Sequence, residues 1–144
     1  MKRGRIAYAG AIHQVTAEGD KVRLPSGRLL SEHDVVWLPP VQPGTIFALG
    51  LNYADHAAEI ASKTPTEPMV FLKAGNTLLG HNASTVRPDD ATMMHYECEL
   101  AVVIGRTARN VAQADAYDYI GGYTVANDYA IRNYLEGFYR PNFK

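Results

Sequence analysis

With 144 residues, of which 47% are hydrophobic, the chain is long enough to bury the core of one ordinary domain. Its formal net charge of -1 at pH 7 gives no electrostatic footprint for nucleic acid or an anionic membrane. A single cysteine excludes an internal disulfide, and no apolar run approaches the ~18 residues of a membrane span. The composition therefore predicts a compact, soluble protein of the cytoplasm that binds neither nucleic acid nor membrane.

The first part of the chain alternates apolar and polar positions, as in residues 12–15, and carries turn signals at 18–20 and 25–27. This alternation predicts a small antiparallel β element. The proline-rich segment that follows, residues 39–44, cannot sustain a helix or a central strand. We therefore expect a boundary here, with a small N-terminal β element at 1–42 and a second, larger domain at 43–144.

The second domain mixes strand and helix signals. Apolar runs predict strands near 45–50, 69–73, 96–104 and 121–126. Helices are expected around His56, near 113–119 and from about 129 to 137, and a Gly/Asn-rich loop is expected at 75–84. The chain contains no repeat and no low-complexity tract. This mixture predicts an α+β fold.

One predicted strand carries two carboxylates where apolar sequence meets polar sequence. Residues two apart on a strand project to the same side, so Glu97 and Glu99 share one face. Two like charges that close raise each other's pKa unless a cation lies between them. Mg²⁺, Mn²⁺ and Ca²⁺ all prefer oxygen ligands. The spacing therefore favours a divalent-metal site, to which Asp128, at the end of the next apolar run, adds a third carboxylate.

Two other interpretations of this strand stay open. Glu97 and Glu99 are also compatible with the solvated face of an edge strand, with Cys98 and Leu100 packed toward the core. His95 lies on the same face as both glutamates, so a transition-metal site of imidazole and carboxylates is a second alternative. Cys98, on the opposite face, is expected to pack as an apolar side chain rather than to act as a nucleophile.

A second segment, residues 47–59, reads as a short apolar strand, a glycine turn and a helix that begins at Asn52 or Asp55. On that helix His56 and Glu59 are three positions apart and so lie on one face. A carboxylate there can orient the imidazole and stabilise its charge, which makes the pair able to move protons near neutral pH. The alternative is an ordinary surface pair that contributes only tenths of a kcal/mol.

Four ordered motifs together resemble the fumarylacetoacetate hydrolase family. They are ALGLNYADH at 48–56, EPMVFLK at 67–73, HYECEL at 95–100 and GGYTVAND at 121–128. The segments NDYAIR at 127–132 and YRPN at 139–142 are similar to one branch of that family, the bacterial isomerases and decarboxylases of the homoprotocatechuate pathway. The resemblance covers the chain from Pro43 to its last residue and implies a mixed β-roll.

The resemblance also assigns roles to particular residues. It implies three metal ligands, Glu97, Glu99 and Asp128, with Mg²⁺ or Mn²⁺ as the cation and Ca²⁺ as an alternative occupant in crystals. It implies a proton-transfer dyad on a lid helix, His56 and Glu59, and it places Lys73 in the lining of the same cleft. A lysine-containing motif of the family would begin past Lys144, so we expect the C-terminal part of the roll to be absent from this sequence.

The function implied is that of a metal-dependent isomerase or decarboxylase of 2-oxo or 2-hydroxy-enol di- and tricarboxylic acids. The pathway implied is the meta-cleavage catabolism of 4-hydroxyphenylacetate, and the assembly expected is a homodimer. Within the same family, an acylpyruvate-type C–C bond hydrolase or an oxaloacetate decarboxylase is the alternative. An alternative of another class is an inactive fragment that acts only as a binding partner.

Overall fold

The computed structural model describes residues 1–59 and 65–135, without the side chains of His56, Ala57, Glu59 and Leu135. The chain divides into two compact units, Met1–Ser84 and Thr85–Lys144. In the described part of the chain, strands dominate and one α-helix is present. No helix among these residues is both long and apolar enough to cross a membrane. The domain boundary at residue 42 stays a prediction.

The first unit begins with a five-stranded antiparallel sheet. Its strands are β1 (Arg3–Tyr8), β2 (Ala11–Glu18), β3 (Lys21–Arg23), β4 (Leu29–Ser31) and β5 (Val36–Leu38), in the order β4-β3-β2-β1-β5. Ala9 and Gly10 both have positive φ, which suits the two-residue turn between β1 and β2. The sheet holds an apolar core formed by Ile6, Val15, Val22, Leu24 and Leu30. The antiparallel β element expected at the start of the chain is thus confirmed.

The first unit also contains a second, two-stranded antiparallel sheet with a helix in its connection. Strand β6 (Ile46–Gly50) pairs with β7 (Met69–Lys73), and the helix α1 (Ala54–Glu59) follows β6. The strands predicted near 45–50 and 69–73 and the helix around His56 are confirmed. The β6–β7 sheet leaves Phe47, Leu49 and Leu72 at least half exposed.

The second unit contains two antiparallel pairs. Strand β9 (Cys98–Ile104) pairs with β10 (Ile120–Asn127), and the short β8 (Met94–His95) pairs with β11 (Ala130–Ile131). Gly105 and Gly121 meet where the β9–β10 register shifts, so closely that a methyl group on Gly105 would lie 2.7 Å from the Cα of Gly121. The strands predicted near 96–104 and 121–126 are confirmed.

One of the two helix predictions in this unit needs correction. The helix expected near 113–119 is present as a 3₁₀ helix, Gln113–Tyr119. The helix expected from 129 to 137 is replaced by β11 and a 3₁₀ turn at Arg132–Leu135, with 136 and 137 outside the described residues. The physical reason is pairing with a distant strand. The backbone N–H of Arg132 donates to the carbonyl of Met93 at 2.8 Å instead of bonding within a helix. The side chain of Asn133 also bonds the backbone at positions 92 and 93.

The β9–β10 hairpin has two different faces. Burial alternates along both strands, so Glu99 and Ala101 are half-buried whereas Leu100 is exposed, and the same period continues on β10. Cys98 belongs to the exposed face, so the expectation that it packs as a buried apolar side chain was wrong. The half-buried face of this hairpin is therefore the one that carries the glutamates.

Candidate active site

The carboxylates predicted to bind metal lie at one end of the β9–β10 hairpin. Glu99 is on β9 opposite Ala126, and the backbone N–H of Asp128 donates to the carbonyl of Glu97 at 2.9 Å, which extends the ladder past the end of both strands. Directly opposite residues of an antiparallel pair project to the same side. Glu97, Glu99 and Asp128 therefore share the half-buried face, and all three are themselves half-buried.

Glu97 is held by an arginine. A guanidinium nitrogen of Arg132, Nη2, is hydrogen-bonded and ion-paired to Oε1 of Glu97, and both side chains are mostly buried, at 20% and 24% exposure. The Nε of Arg132 donates to Nδ1 of His95 at 3.2 Å. The backbone N–H of Glu97 donates to the Oδ1 of Asn127 at 3.1 Å. The carboxylate thus has a fixed cationic partner, and Nδ1 of His95 is engaged within the protein rather than directed to a metal.

Donor chemistry and register both fit a hard divalent cation at this end of the hairpin. Carboxylate oxygens are the ligands that Mg²⁺ and Mn²⁺ prefer, and Glu97, Glu99 and Asp128 supply them from one face. As the side chains stand, no three His, Cys, Asp or Glu residues within 1–59 and 65–135 are close enough together to hold a metal ion. The metal site therefore stays a prediction, and its ligands would have to rotate toward one another.

The residues predicted to transfer protons lie in the first unit. His56 and Glu59 are three positions apart on α1, a spacing that puts them on one face of the helix, while their side chains lie outside the described residues. Lys73 is the last residue of β7, paired with Ile46, and is half-buried. The dyad and the role of Lys73 stay predictions.

Sequence reasoning gave no role to Arg132 and Asn127, whose side chains contact Glu97. Asn127 is the last residue of β10, and Arg132 follows β11. One signal for Arg132 was available. Arg132 is a cation four positions after Asp128, and three carboxylates that lie close together repel one another unless a positive charge is near them. The spacing did not show which carboxylate it would bind, because that contact depends on a pairing between strands 35 residues apart.

Comparison with known families identifies the class of protein. A family model described as the C-terminal domain of fumarylacetoacetate (FAA) hydrolase matches residues 45–143, well over half of the chain. The chain therefore belongs to the fumarylacetoacetate hydrolase family, and the resemblance seen in its motifs is confirmed. Solved structures agree on the fold: a 5-carboxymethyl-2-hydroxymuconate delta-isomerase from Mycobacterium smegmatis superimposes with a TM-score of 0.77 at 36% identity, covering 96% of this chain and 59% of the other.

Similar proteins of named function narrow the comparison. A homoprotocatechuate catabolism bifunctional isomerase/decarboxylase from Escherichia coli is 65% identical over 105 residues, which are 73% of this chain and 25% of that enzyme. A 4-hydroxyphenylacetate degradation bifunctional isomerase/decarboxylase from Salmonella dublin is 52% identical in an alignment 139 residues long that covers 88% of this chain and 32% of that enzyme. The chain thus spans a quarter to a third of the length of these relatives.

Proposed function

We propose that this chain carries the metal ligands and the proton-transfer residues of a divalent-metal-dependent isomerase/decarboxylase. Its substrates would be 2-oxo or 2-hydroxy-enol di- and tricarboxylic acids formed by meta-cleavage catabolism of 4-hydroxyphenylacetate. The observation that carries the proposal is the placement of Glu97, Glu99 and Asp128 on one face at one end of a single hairpin. The names of the Escherichia coli and Salmonella dublin relatives support the reaction class.

In this proposal the β9–β10 hairpin binds the cation and the helix α1 carries the residues that transfer protons. Glu97, Glu99 and Asp128 would bind Mg²⁺ or Mn²⁺. When bound, the cation supplies a Lewis acid that stabilises negative charge on the substrate oxygens. The backbone contacts of Glu97 and Asp128 fix the backbone of these two ligands just outside the ends of β9 and β10. The protein's own contribution is therefore a pre-arranged backbone that brings three like charges to one end of the sheet.

His56 would remove or deliver the proton, with Glu59 orienting its imidazole. Isomerisation and decarboxylation both leave negative charge on the same conjugated acid, so one proton carrier serves both reactions. Lys73 would bind a carboxylate of the substrate as a point charge. We further propose that the active form is a cytoplasmic homodimer.

The experiment that tests this proposal is titration of the protein with Mn²⁺ and Mg²⁺ by calorimetry, with Glu99→Ala as the variant. Losing one of three anionic ligands should abolish binding, because the remaining donors leave the cation undercharged. Asp115→Ala is the matched control, since it removes one acidic charge from the same unit near the opposite end of β10. Equal affinity in Glu99→Ala and wild type would refute the metal assignment.

Substrate class is tested separately. The protein is assayed for Mn²⁺-dependent isomerisation of 2-hydroxyhepta-2,4-diene-1,7-dioate and decarboxylation of 5-oxopent-3-ene-1,2,5-tricarboxylate, alongside oxaloacetate and an acylpyruvate. Turnover of the first two, lost in Glu99→Ala, is the expected result. Turnover of oxaloacetate or the acylpyruvate alone would move the assignment to another reaction of the family.

A further inference from the structure

Arg132 joins two residues of the second unit that lie just before β9. One arm of its guanidinium, Nη2, contacts Oε1 of Glu97, and its Nε donates to Nδ1 of His95. We propose that Arg132 is a positioning residue for Glu97: it holds one carboxylate oxygen and leaves the other to bind the cation. This inference rests on the proposed function, because it assigns Arg132 a part in the same metal site.

The burial of this ion pair separates it from the other arginine–carboxylate pairs of the described residues. The side chains of Arg132 and Glu97 are 20% and 24% exposed, whereas those of Arg23 and Glu18 are 42% and 40% exposed. Arg106 and Asp118 are more exposed still, and their nearest charged atoms are 3.9 Å apart. Solvent screens a partly buried pair less, so the Arg132 contact restricts the Glu97 carboxylate more than a surface pair would.

The backbone that carries Arg132 is anchored on both sides. Before it, Ala130 pairs with His95 and is 2% exposed. After it, the Oδ1 of Asn133 accepts from the N–H groups of Thr92 and Met93 at 3.1 and 3.2 Å, and its Nδ2 donates to the carbonyl of Asp90 at 3.0 Å. A residue that orients a ligand must itself be held in place, and these contacts supply that support.

Two roles for Arg132 make opposite predictions about metal affinity. A guanidinium that merely replaced the cation would compete with it, so its removal would tighten metal binding. A guanidinium that orients Glu97 lowers the conformational freedom that the carboxylate loses on binding, so its removal would weaken metal binding. The attachment of Arg132 to His95 and its anchored backbone favour the second role, because a displaceable counter-ion needs neither.

The test is titration of the 144-residue protein with Mn²⁺ by calorimetry, with the spectrum of bound Mn²⁺ followed by electron paramagnetic resonance. Arg132→Met should weaken Mn²⁺ binding by about 10–100-fold, the range found for groups that orient metal ligands. Arg132→Met should also alter the spectrum of bound Mn²⁺. If Arg132 only stabilised the fold, the spectrum of Mn²⁺ bound to the folded fraction of the variant would be unchanged. Arg106→Met is the matched control, since it breaks an arginine–aspartate pair in the same unit, and should bind as wild type does.

Arg132→Lys keeps the charge but loses the planar fork that reaches two acceptors, so it should also bind Mn²⁺ at least about 10-fold more weakly. This variant decides the question if Arg132→Met fails to fold in the absence of metal. Wild-type affinity or tighter binding in the folded Arg132 variants would overturn the positioning role while leaving the proposed function intact. Failure of the wild-type protein to bind Mn²⁺ would overturn both.

Discussion

Three carboxylates at one end of a hairpin repel one another unless positive charge lies close by. The described structure provides one such charge, the guanidinium of Arg132, at Glu97. A partly buried ion pair of this kind is not in itself a strong argument for stability, since desolvation offsets much of the attraction. Arg132 is attached at two points, to Glu97 and to His95. A requirement to orient the Glu97 carboxylate explains this double attachment better than a contribution to folding does.

His56→Ala tests the proton-transfer role at the level of a single residue. The assay uses the 144-residue protein or, if that is inactive, a fusion completed from the Salmonella dublin relative. Turnover should fall by ~10²–10⁴-fold because a positioned acid–base group is lost. Mn²⁺ affinity should barely change. The measurement is steady-state kinetics together with calorimetry.

His33→Ala serves as the control for His56→Ala, since it removes an exposed imidazole from the same unit. A loss in His56→Ala below about threefold, well short of the range for general acid–base catalysis, would favour the surface-pair interpretation. Glu59→Gln should show a smaller loss than His56→Ala, because it leaves the imidazole in place and removes only the group that orients it.

Local sequence predicted the regular strands well. The segments that became β6, β7, β9 and β10 are apolar runs that contain β-branched and aromatic residues, and each forms within two residues of its predicted bounds. The error at 129–137 has a non-local cause. Pairing of β11 with β8 and the contacts of Asn133 join positions about 35 to 43 residues apart, and no local pattern reveals them.

For the candidate site too, the local features were predictable from the sequence and the non-local contacts were not. The spacing of Glu97 and Glu99 indicated a shared face, and the alternation of burial along β9 agrees with it. The side of the hairpin that is more exposed could not be predicted, because it depends on what covers each face. Arg132 could not be assigned a partner for the same reason that β11 was missed.

The close contact of Gly105 with Gly121 predicts a strong effect of a single methyl group on the β9–β10 hairpin. Gly105→Ala would place a carbon 2.7 Å from the Cα of Gly121, so strand separation must follow. We expect a loss of about 1–3 kcal/mol in the free energy of unfolding, the usual cost of overpacking. Urea denaturation measures this. Gly122→Ala is the control, since its methyl group would meet nothing within 4 Å; equal losses in both variants would contradict the prediction.

The 3₁₀ turn at Arg132–Leu135 should weaken at alkaline pH. The hydroxyl of Tyr134 donates to Oδ1 of Asp90 at 2.6 Å, and this hydrogen bond raises the pKa of Tyr134 above its usual value. A raised pKa in the folded state means that the stabilisation is fully present below pH ~10, the unfolded pKa, and is lost as the pH rises through the folded pKa.

Urea denaturation of wild type and Tyr134→Phe between pH 8 and 11.5 tests this dependence. Wild type should be the more stable at pH 8, and the difference should shrink at the alkaline end of the range. Tyr117→Phe, at a side chain that is 78% exposed, is the control and should show no such trend. A stability difference that does not vary with pH would show that the Asp90 contact does not hold the turn.

At the scale of the whole molecule, each unit presents an apolar sheet face to solvent. On β9–β10 the exposed face includes the cross-strand pairs Leu100–Val125 and Val102–Tyr123, with exposures from 46% to 74%. A two-stranded sheet is marginally stable in water unless a packed face supports it. Contiguous apolar surface of this kind marks a place where another polypeptide packs or where molecules associate non-specifically.

The exposed face of β9–β10 should therefore control the solution behaviour of the 144-residue protein. We expect the wild-type chain to bind an apolar-surface dye and to elute from size-exclusion chromatography above its monomer size. The double variant Leu100→Thr with Val125→Thr places a β-branched side chain at both positions and makes the pair polar, so it should lower both signals. Val36→Thr, a single exposed residue on β5, is the control and should lower neither. A wild-type chain that is monodisperse, melts cooperatively and binds no dye would contradict the prediction, and such a chain that was also inactive would favour the alternative of a binding partner without catalysis.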